Sequence, residues 1–246
     1  MRVTKDLIKN SYNREGTILS YIDAIEKIGL WESEKKIINK YIKKDDKILD
    51  IGCGTGRTTF GLFKSGFKSI KGLDLSENFI SYAKDLAKLN NFDIEFIVGD
   101  VCKLPYVDKS FNSAIFSFNG LMQIPGRKNR VEAMKEIRRV LKENGIFIFT
   151  THDRNIETEY KEFWKKEKTK WDQGKQDPCL IEFGDLIIKE KESSTYIHIP
   201  TREEILQDIT DSGFIHIEDC YRLELANENI EVRAFSTECR FWVVER

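Results

Sequence analysis

Apolar residues change their spacing along this chain, and the changes divide it into four stretches. From 1 to 44 they recur at helical intervals: Ile18, Ile22, Ile25 and Ile28 run up to Gly29, and Ile37, Ile38 and Tyr41 follow Ser33, a residue suited to an N-cap. Two or three helices are expected there, and no strand. From 45 to 151 short apolar runs alternate with amphipathic stretches. Strands are predicted at 47–51, 69–75, 93–98, 111–118 and 145–150. Helices fall between them: one from Arg57, one from Ser76 with Phe79, Ala83 and Leu86 on its apolar face, and one through Val131, Met134, Ile137 and Leu141 that Asn144-Gly145 should stop. Such alternation describes a parallel sheet covered by helices on both faces.

From 152 to 199 the rhythm breaks. A lysine-rich polar segment carries Phe163, Trp164 and Trp171, and short strands are expected at 180–183 and 186–188, as a pair, and at 196–199. Beyond 200 a helix restarts, with Thr201 and Glu204 spaced as a capping box, and Gly213 ends it. Two final strands, 214–217 and 239–244, are expected to form a hairpin closing the sheet, the last one antiparallel. No repeat or low-complexity linker interrupts the chain. The fold class is therefore α/β, a doubly wound, seven-stranded, mostly parallel sheet in a single domain: helices over 1–44, a core over 45–151, an insertion over 152–199 and a C-terminal helix and hairpin over 200–246.

The first strand runs into the densest glycine turn of the chain, Asp50-Ile51-Gly52-Cys53-Gly54-Thr55-Gly56. Glycines let a backbone turn sharply and lie against a ligand, and the following helix points unpaired N–H groups into the same space. A nucleotide-like ligand is expected. A dinucleotide fingerprint requires a third glycine where Arg57 stands, and a phosphate-cradling loop requires Gly-Lys-Ser/Thr, so both spacings fail. Asp50 at the strand end would repel a pyrophosphate and suits a ligand bearing an ammonium or sulfonium charge. Asp74, 18 residues past Gly56 at the end of the second strand, is placed to accept hydrogen bonds from ribose hydroxyls, with Leu75 beside it as an apolar face for adenine.

Composition removes other classes. Lys plus Arg number 40 and Asp plus Glu 41, a net charge of −1, so no global field recruits nucleic acid or an anionic membrane. Five scattered cysteines without a Cys-x-x-Cys, and only three histidines, argue against a disulfide framework and against a zinc site. No run is long and apolar enough to span a bilayer, and the first residues lack the apolar core of a signal peptide; a cytoplasmic location is expected.

The wording Ile48-Leu49-Asp50-Ile51-Gly52-Cys53-Gly54-Thr55-Gly56 resembles motif I of the class I S-adenosylmethionine-dependent methyltransferases. Leu104-Pro105 with Ser110-Phe111-Asn112, and Leu141-Lys142-Glu143-Asn144-Gly145, are similar to further motifs of its type-11-like small-molecule subgroup. Asn112 departs from the usual aspartate there. The resemblance implies S-adenosylmethionine as cofactor and S-adenosylhomocysteine as product. Asp50 would sense the amino group; Gly52, Cys53, Gly54 and Gly56 would form the backbone path; and Asp74 would take the ribose. Asp100 and Val101 would read adenine, and the backbone of Ser117 and Phe118 would face the methionine part.

The acceptor side is less defined. Asn119 and Gln123 follow the fourth strand at the ligand-binding edge, and Tyr12 and Tyr21 lie on the helices that often cover such a cofactor. His152 and Asp153, after the fifth strand, are candidates for a general base, although transfer from a sulfonium often needs only alignment. Trp164 and Trp171, seven apart within a segment of +3 local charge, read either as a lid that stacks on an aromatic acceptor or as an amphipathic helix burying two indoles. A small-molecule acceptor is expected. A tRNA-modifying enzyme is the alternative, disfavoured by the near-zero charge; an NAD-dependent oxidoreductase and a non-catalytic binding module are the readings from other classes. The acceptor atom and the oligomeric state are not written in these motifs.

Overall fold

The computed structural model describes residues 2–13, 15–156, 160–189 and 194–246. Three helices lead, α1 (Lys5–Tyr12), α2 (Glu15–Lys27) and α3 (Glu32–Tyr41). Ser33 does not cap α3. Glu34 accepts from Trp31 N at 2.9 Å, and Glu228 accepts from Glu32 N and Ser33 N at 3.1 and 2.8 Å. A cap supplied from so far along the chain leaves no local trace in the sequence.

The expected alternation follows: β1 (Ile48–Ile51), α4 (Arg57–Lys64), β2 (Ile70–Asp74), α5 (Glu77–Leu89), β3 (Glu95–Val98), β4 (Phe111–Phe116), α6 (Arg127–Val140) and β5 (Leu141–Thr151). Ser76 caps α5 as its position implies, accepting from Phe79 N at 3.2 Å. One boundary differs. Helix α6 ends at Val140, and Leu141 already pairs with Phe111; the left-handed Asn144 (φ 58°) belongs to an irregularity inside β5, because Ser113 next pairs with Ile146. A left-handed residue serves a bulge as readily as a helix stop.

The insertion holds α7 (Lys161–Asp172) and a separate antiparallel pair, β6 (Asp185–Lys189) with β7 (Ser194–His198). Residues 180–183 are not a strand. Ile181 N and Glu182 N instead bond the Asp185 carboxylate at 2.8 and 3.0 Å, so this stretch turns around one side chain. Then come α8 (Arg202–Asp211), β8 (Ile215–Tyr221), the short helices α9 (Arg222–Leu225) and α10 (Ile230–Phe235), and β9 (Arg240–Glu245). The capping box of α8 forms, with Glu204 N donating to Thr201 Oγ1 and Thr201 N to Glu204 Oε2.

The seven-stranded sheet has the order β3-β2-β1-β4-β5-β9-β8, with β9 antiparallel to both of its neighbours. Alternation along each strand divides the core. On one face Leu49, Ile51, Phe147, Phe149 and Trp242 pack against Met134 and Ile137 of α6 and Ile205 and Ile209 of α8. On the other, Ile48, Ile115, Ile148 and Val243 meet Ile37 and Ile38 of α3 and Leu62 of α4. Burial of an aliphatic or aromatic side chain of this kind contributes roughly 1.5–3 kcal/mol. The sheet is held from both sides, which leaves its C-terminal edge as the place where loops can form a site.

Candidate active site

At that edge the ends of β1, β2 and β4, together with the turn after β3, open into one cleft of about 540 Å³. Its floor is the glycine turn. Gly52 and Gly54 are left-handed (φ 60° and 55°), and a Cβ on Gly52 would lie 2.5 Å from the Phe116 ring. Gly52, Cys53 and Gly54 line the cleft. Gly56 is not among the lining residues. It is left-handed at the start of α4 (φ 101°), where a Cβ would strike the Phe60 ring at 2.5 Å, so it shapes the turn from behind.

Asp74 and Leu75 stand beside the turn. Gly54 N donates to Asp74 Oδ2 and Ser76 N to Asp74 Oδ1, both at 2.8 Å, so the carboxylate is fixed in orientation with a lone pair left on each oxygen. Burial pushes its pKa up, and the backbone donors oppose that shift. Asp100 and Val101 line the same cleft after β3. Cys102 N donates to Asp100 Oδ1 at 3.0 Å, while Lys5 of α1 reaches Asp100 Oδ2 at 2.8 Å. Partial burial raises the Asp100 pKa, but Lys5 and the Cys102 donors outweigh it and hold the group below its ordinary value.

Ser117 and Phe118 complete the wall after β4. Phe118 and Asn119 are both left-handed, at φ 53° and 58°. Gln123 lines the cleft and accepts a short hydrogen bond from Tyr12 Oη. Tyr12 and Tyr21 close the site from α1 and α2: their rings lie edge to face at 6.1 Å, and Tyr21 packs on Phe79 at 5.0 Å.

Other expected positions lie outside the cleft lining. Asp50 is 1% exposed and its Oδ2 accepts from Thr59 Oγ1 at 2.5 Å. Side chains alternate along a strand, so Asp50 shares the face of Ile48 and points at α4 rather than at the sheet edge. Burial pushes its pKa up to about 7, with Thr59 and Arg57 opposing. His152 and Asp153 point to different partners and form no dyad. The imidazole lies between Asn119 Nδ2 and the Glu238 carbonyl, each at 3.0 Å; Asp153 accepts from Tyr221 Oη at 3.1 Å and faces Arg240. Asn119 itself is buried behind the wall. Trp164 and Trp171 pack edge to face on Phe183, at 5.8 and 6.4 Å, and Arg154 lies over Trp164 at 5.7 Å. They hold α7 against the 180–183 turn; both indoles are half-buried, and neither lines the cleft.

Several lining residues carried no signal in the sequence. Lys5, Ile8 and Lys9 come from α1 and Val3 from just before it, Ile181 from the insertion and Phe235 from α10. Arg57, which broke the dinucleotide spacing, also lines the cleft; it pairs with the buried Glu34 at 2.7 and 2.8 Å and donates to Gly29 O at 2.6 Å. These bonds tie the start of α4 to α3 and to the segment before it. A separate donor cluster, Glu182, Asp185 and His198, has ligand atoms within 4.8 Å of one another. Its groups are already committed: Asp185 takes Tyr196 Oη, His198 Nδ1 and two backbone N–H groups, and Glu182 pairs with Arg130 at 2.9 Å. Among the described residues no helix is long and apolar enough to cross a membrane.

A doubly wound sheet of this order, with a glycine turn after β1 and acids after β2 and β3, defines a nucleotide-cofactor enzyme of the α/β class. Residues 42–214 match the family model of the methyltransferase domain, and the chain belongs to that family as an S-adenosylmethionine-dependent methyltransferase. A demethylmenaquinone methyltransferase of Staphylococcus aureus (strain JH9) is 27% identical over 219 residues, covering 85% of this chain and 83% of its own length. Among solved structures, a methyltransferase from Methanosarcina mazei aligns at TM-score 0.68 and 24% identity, covering 85% of this chain and 96% of its own. The [4+2]-cyclase SpnF aligns at TM-score 0.70 and 15% identity, covering 100% of this chain and 97% of its own. These two likenesses speak for the fold alone.

Proposed function

We propose that S-adenosylmethionine lies along the glycine turn with its ribose on Asp74 and its adenine on Asp100 and Val101, and that the acceptor is a small, largely apolar ring compound of quinol type. One observation carries this reading: a single cleft joins a polar wall of two carboxylates to an apolar side of Val3, Ile8, Ile124, Pro125 and Ile181. The demethylmenaquinone methyltransferase relative agrees with such an acceptor. The chain's own geometry fits the cofactor, because Asp74 is already oriented with free lone pairs and the floor at Gly52 has no room for a Cβ.

When bound, the cofactor supplies a methyl carbon on a cationic sulfur that departs as a neutral thioether. Asp74 orients, Asp100 selects a base with an amine at the matching edge, and the rings of Tyr12, Tyr21 and Phe79 exclude water above the turn. The acceptor provides the new bonding pair as the methyl–sulfur bond breaks, and its proton passes to solvent water at the open side of the cleft. Neither His152 nor Asp153 is needed as its base, since alignment supplies most of the acceleration for such a leaving group.

Calorimetric titration with S-adenosylhomocysteine, followed by transfer of labelled methyl from S-adenosylmethionine to a reduced short-chain demethylmenaquinone, tests the reading. Binding with label in the quinol is expected. Binding with label in extracted tRNA alone would replace the acceptor, and no binding would remove the cofactor assignment.

A further inference from the structure

The turn after β4 holds two successive non-glycine residues, Phe118 and Asn119, in the left-handed region. For L-residues that conformation costs on the order of 1–2 kcal/mol per residue, and for a bulky phenylalanine it is uncommon enough to require a local cause. The turn matters because Ser117, Phe118 and Gly120 all line the cleft, across from Gly52 with the Phe116 ring between.

Hydrogen bonds fix it from behind. Asn119 N donates to Thr150 Oγ1 at 2.8 Å, and Met122 N donates to Asn119 O at 3.0 Å. The third bond runs from the side chain, Asn119 Nδ2 to His152 Nε2, at 3.0 Å. Its direction follows from the other side of the ring. His152 Nδ1 faces the Glu238 carbonyl at 3.0 Å, and a carbonyl only accepts, so Nδ1 carries the proton. In the neutral ring Nε2 then offers a lone pair, which the Asn119 amide N–H₂ meets. Burial and the nearby Arg222 cation both favour the neutral ring, against the Glu238 carbonyl.

We propose that His152 is a positioning residue for methyl transfer: it acts through Asn119 to hold the left-handed turn whose backbone faces the methionine part of the cofactor. This rests on the cleft taking S-adenosylmethionine. It gives the imidazole after β5 a role other than the general base, and makes β5 and the Glu238 segment part of the cofactor site without touching it.

The test uses the full chain and S-adenosylhomocysteine as the probe. His152→Phe, which removes the acceptor atom at Nε2, is expected to weaken binding roughly three- to tenfold, the worth of one hydrogen bond. His152→Gln, whose amide oxygen can stand at Nε2, is expected to restore both binding and turnover. Asn119→Gly adopts the left-handed conformation without help, so adding His152→Phe to it should cost nothing further. Thermal melts of all four variants confirm that each folds. Wild-type affinity in His152→Phe, or additive losses in the double variant, would overturn the proposal. So would normal binding without turnover in His152→Gln, the mark of a general base. Absence of binding by the unmodified chain would instead strike the cofactor reading itself.

Discussion

The two sides of the cleft are built in opposite ways. On the cofactor side, the residues that line it follow directly from strand ends: Gly52, Asp74 and Val101 each stand within a few positions of β1, β2 or β3, and the parallel register of those strands sets their separation. On the proposed acceptor side the lining comes from segments far apart in the chain, with Val3 before α1, Ile8 in α1, Ile181 in the insertion and Phe235 in α10. The first side is fixed by a sheet that packs on both faces. The second is fixed by long-range contacts such as Val3 N to Cys179 O at 3.0 Å and Lys5 to Asp100 at 2.8 Å. Cofactor chemistry is therefore built into the scaffold, whereas acceptor choice rests on pieces that can be exchanged without disturbing the sheet.

Four substitutions sharpen that contrast. Asp74→Ala removes a charged acceptor for two hydroxyls and is expected to weaken S-adenosylhomocysteine binding by about 100-fold or more in calorimetry, at roughly 1.5–3 kcal/mol per bond to a charged group; a loss under fivefold would break the ribose assignment. Asp50→Asn probes the scaffold rather than the cleft. Burial holds Asp50 near 7 against an ordinary 3.8, so as pH rises the unfolded chain releases this proton first, and its contribution to stability declines between about pH 4 and 7. The variant should gain stability over wild type across that window, by up to about 4 kcal/mol at pH 8, in paired denaturation curves; a difference that stays flat with pH would mean that burial does not raise the Asp50 pKa.

Ile181→Glu places a charge on the apolar side. Turnover of the quinol probe is expected to fall tenfold or more while S-adenosylhomocysteine affinity stays within twofold; a matching loss of affinity would show that the two sides are not separate. The smallest effect belongs to Lys5→Met. Lys5 occupies one oxygen of Asp100, the carboxylate proposed to read the adenine amine, and it is over half exposed, so the pair contributes little to stability. Removing it should tighten S-adenosylhomocysteine binding by no more than about fivefold, and a weakened affinity would mean the lysine assists the base instead.

The same division explains what could be read from the sequence. Period-two and helical spacings located the strands and helices from 47 to 151 because each burial pattern there is local, and the glycine turn with its acids was legible because strand ends put them together. Asp50 lies off the cleft lining for a physical reason: an acid beside a glycine turn looks like a ligand group, and the alternation of β1 turns it toward Thr59. His152 and Asp153 looked like a pair because they are neighbours, yet past the end of β5 the imidazole turns to Asn119 and the Glu238 carbonyl and the carboxylate to Tyr221 and Arg240. Trp164 and Trp171 were ambiguous until Phe183 gave them a packing partner. Nothing in Lys5 or Val3 announced a site, since each is held by a contact more than 90 positions away, and Ile181 reaches the cleft only through the fold of the insertion.

Val3 and Ile8 of the opening segment pack with Tyr196 of β7 and with Cys179, and the same two residues line the cleft. The opening segment and the insertion are thus one unit, divided along the chain by the first five strands. Transplanting residues 152–199 into another enzyme of this architecture should yield a working pocket only when the first dozen residues travel with them, and natural exchange of either segment alone would strand its partner's apolar face in water.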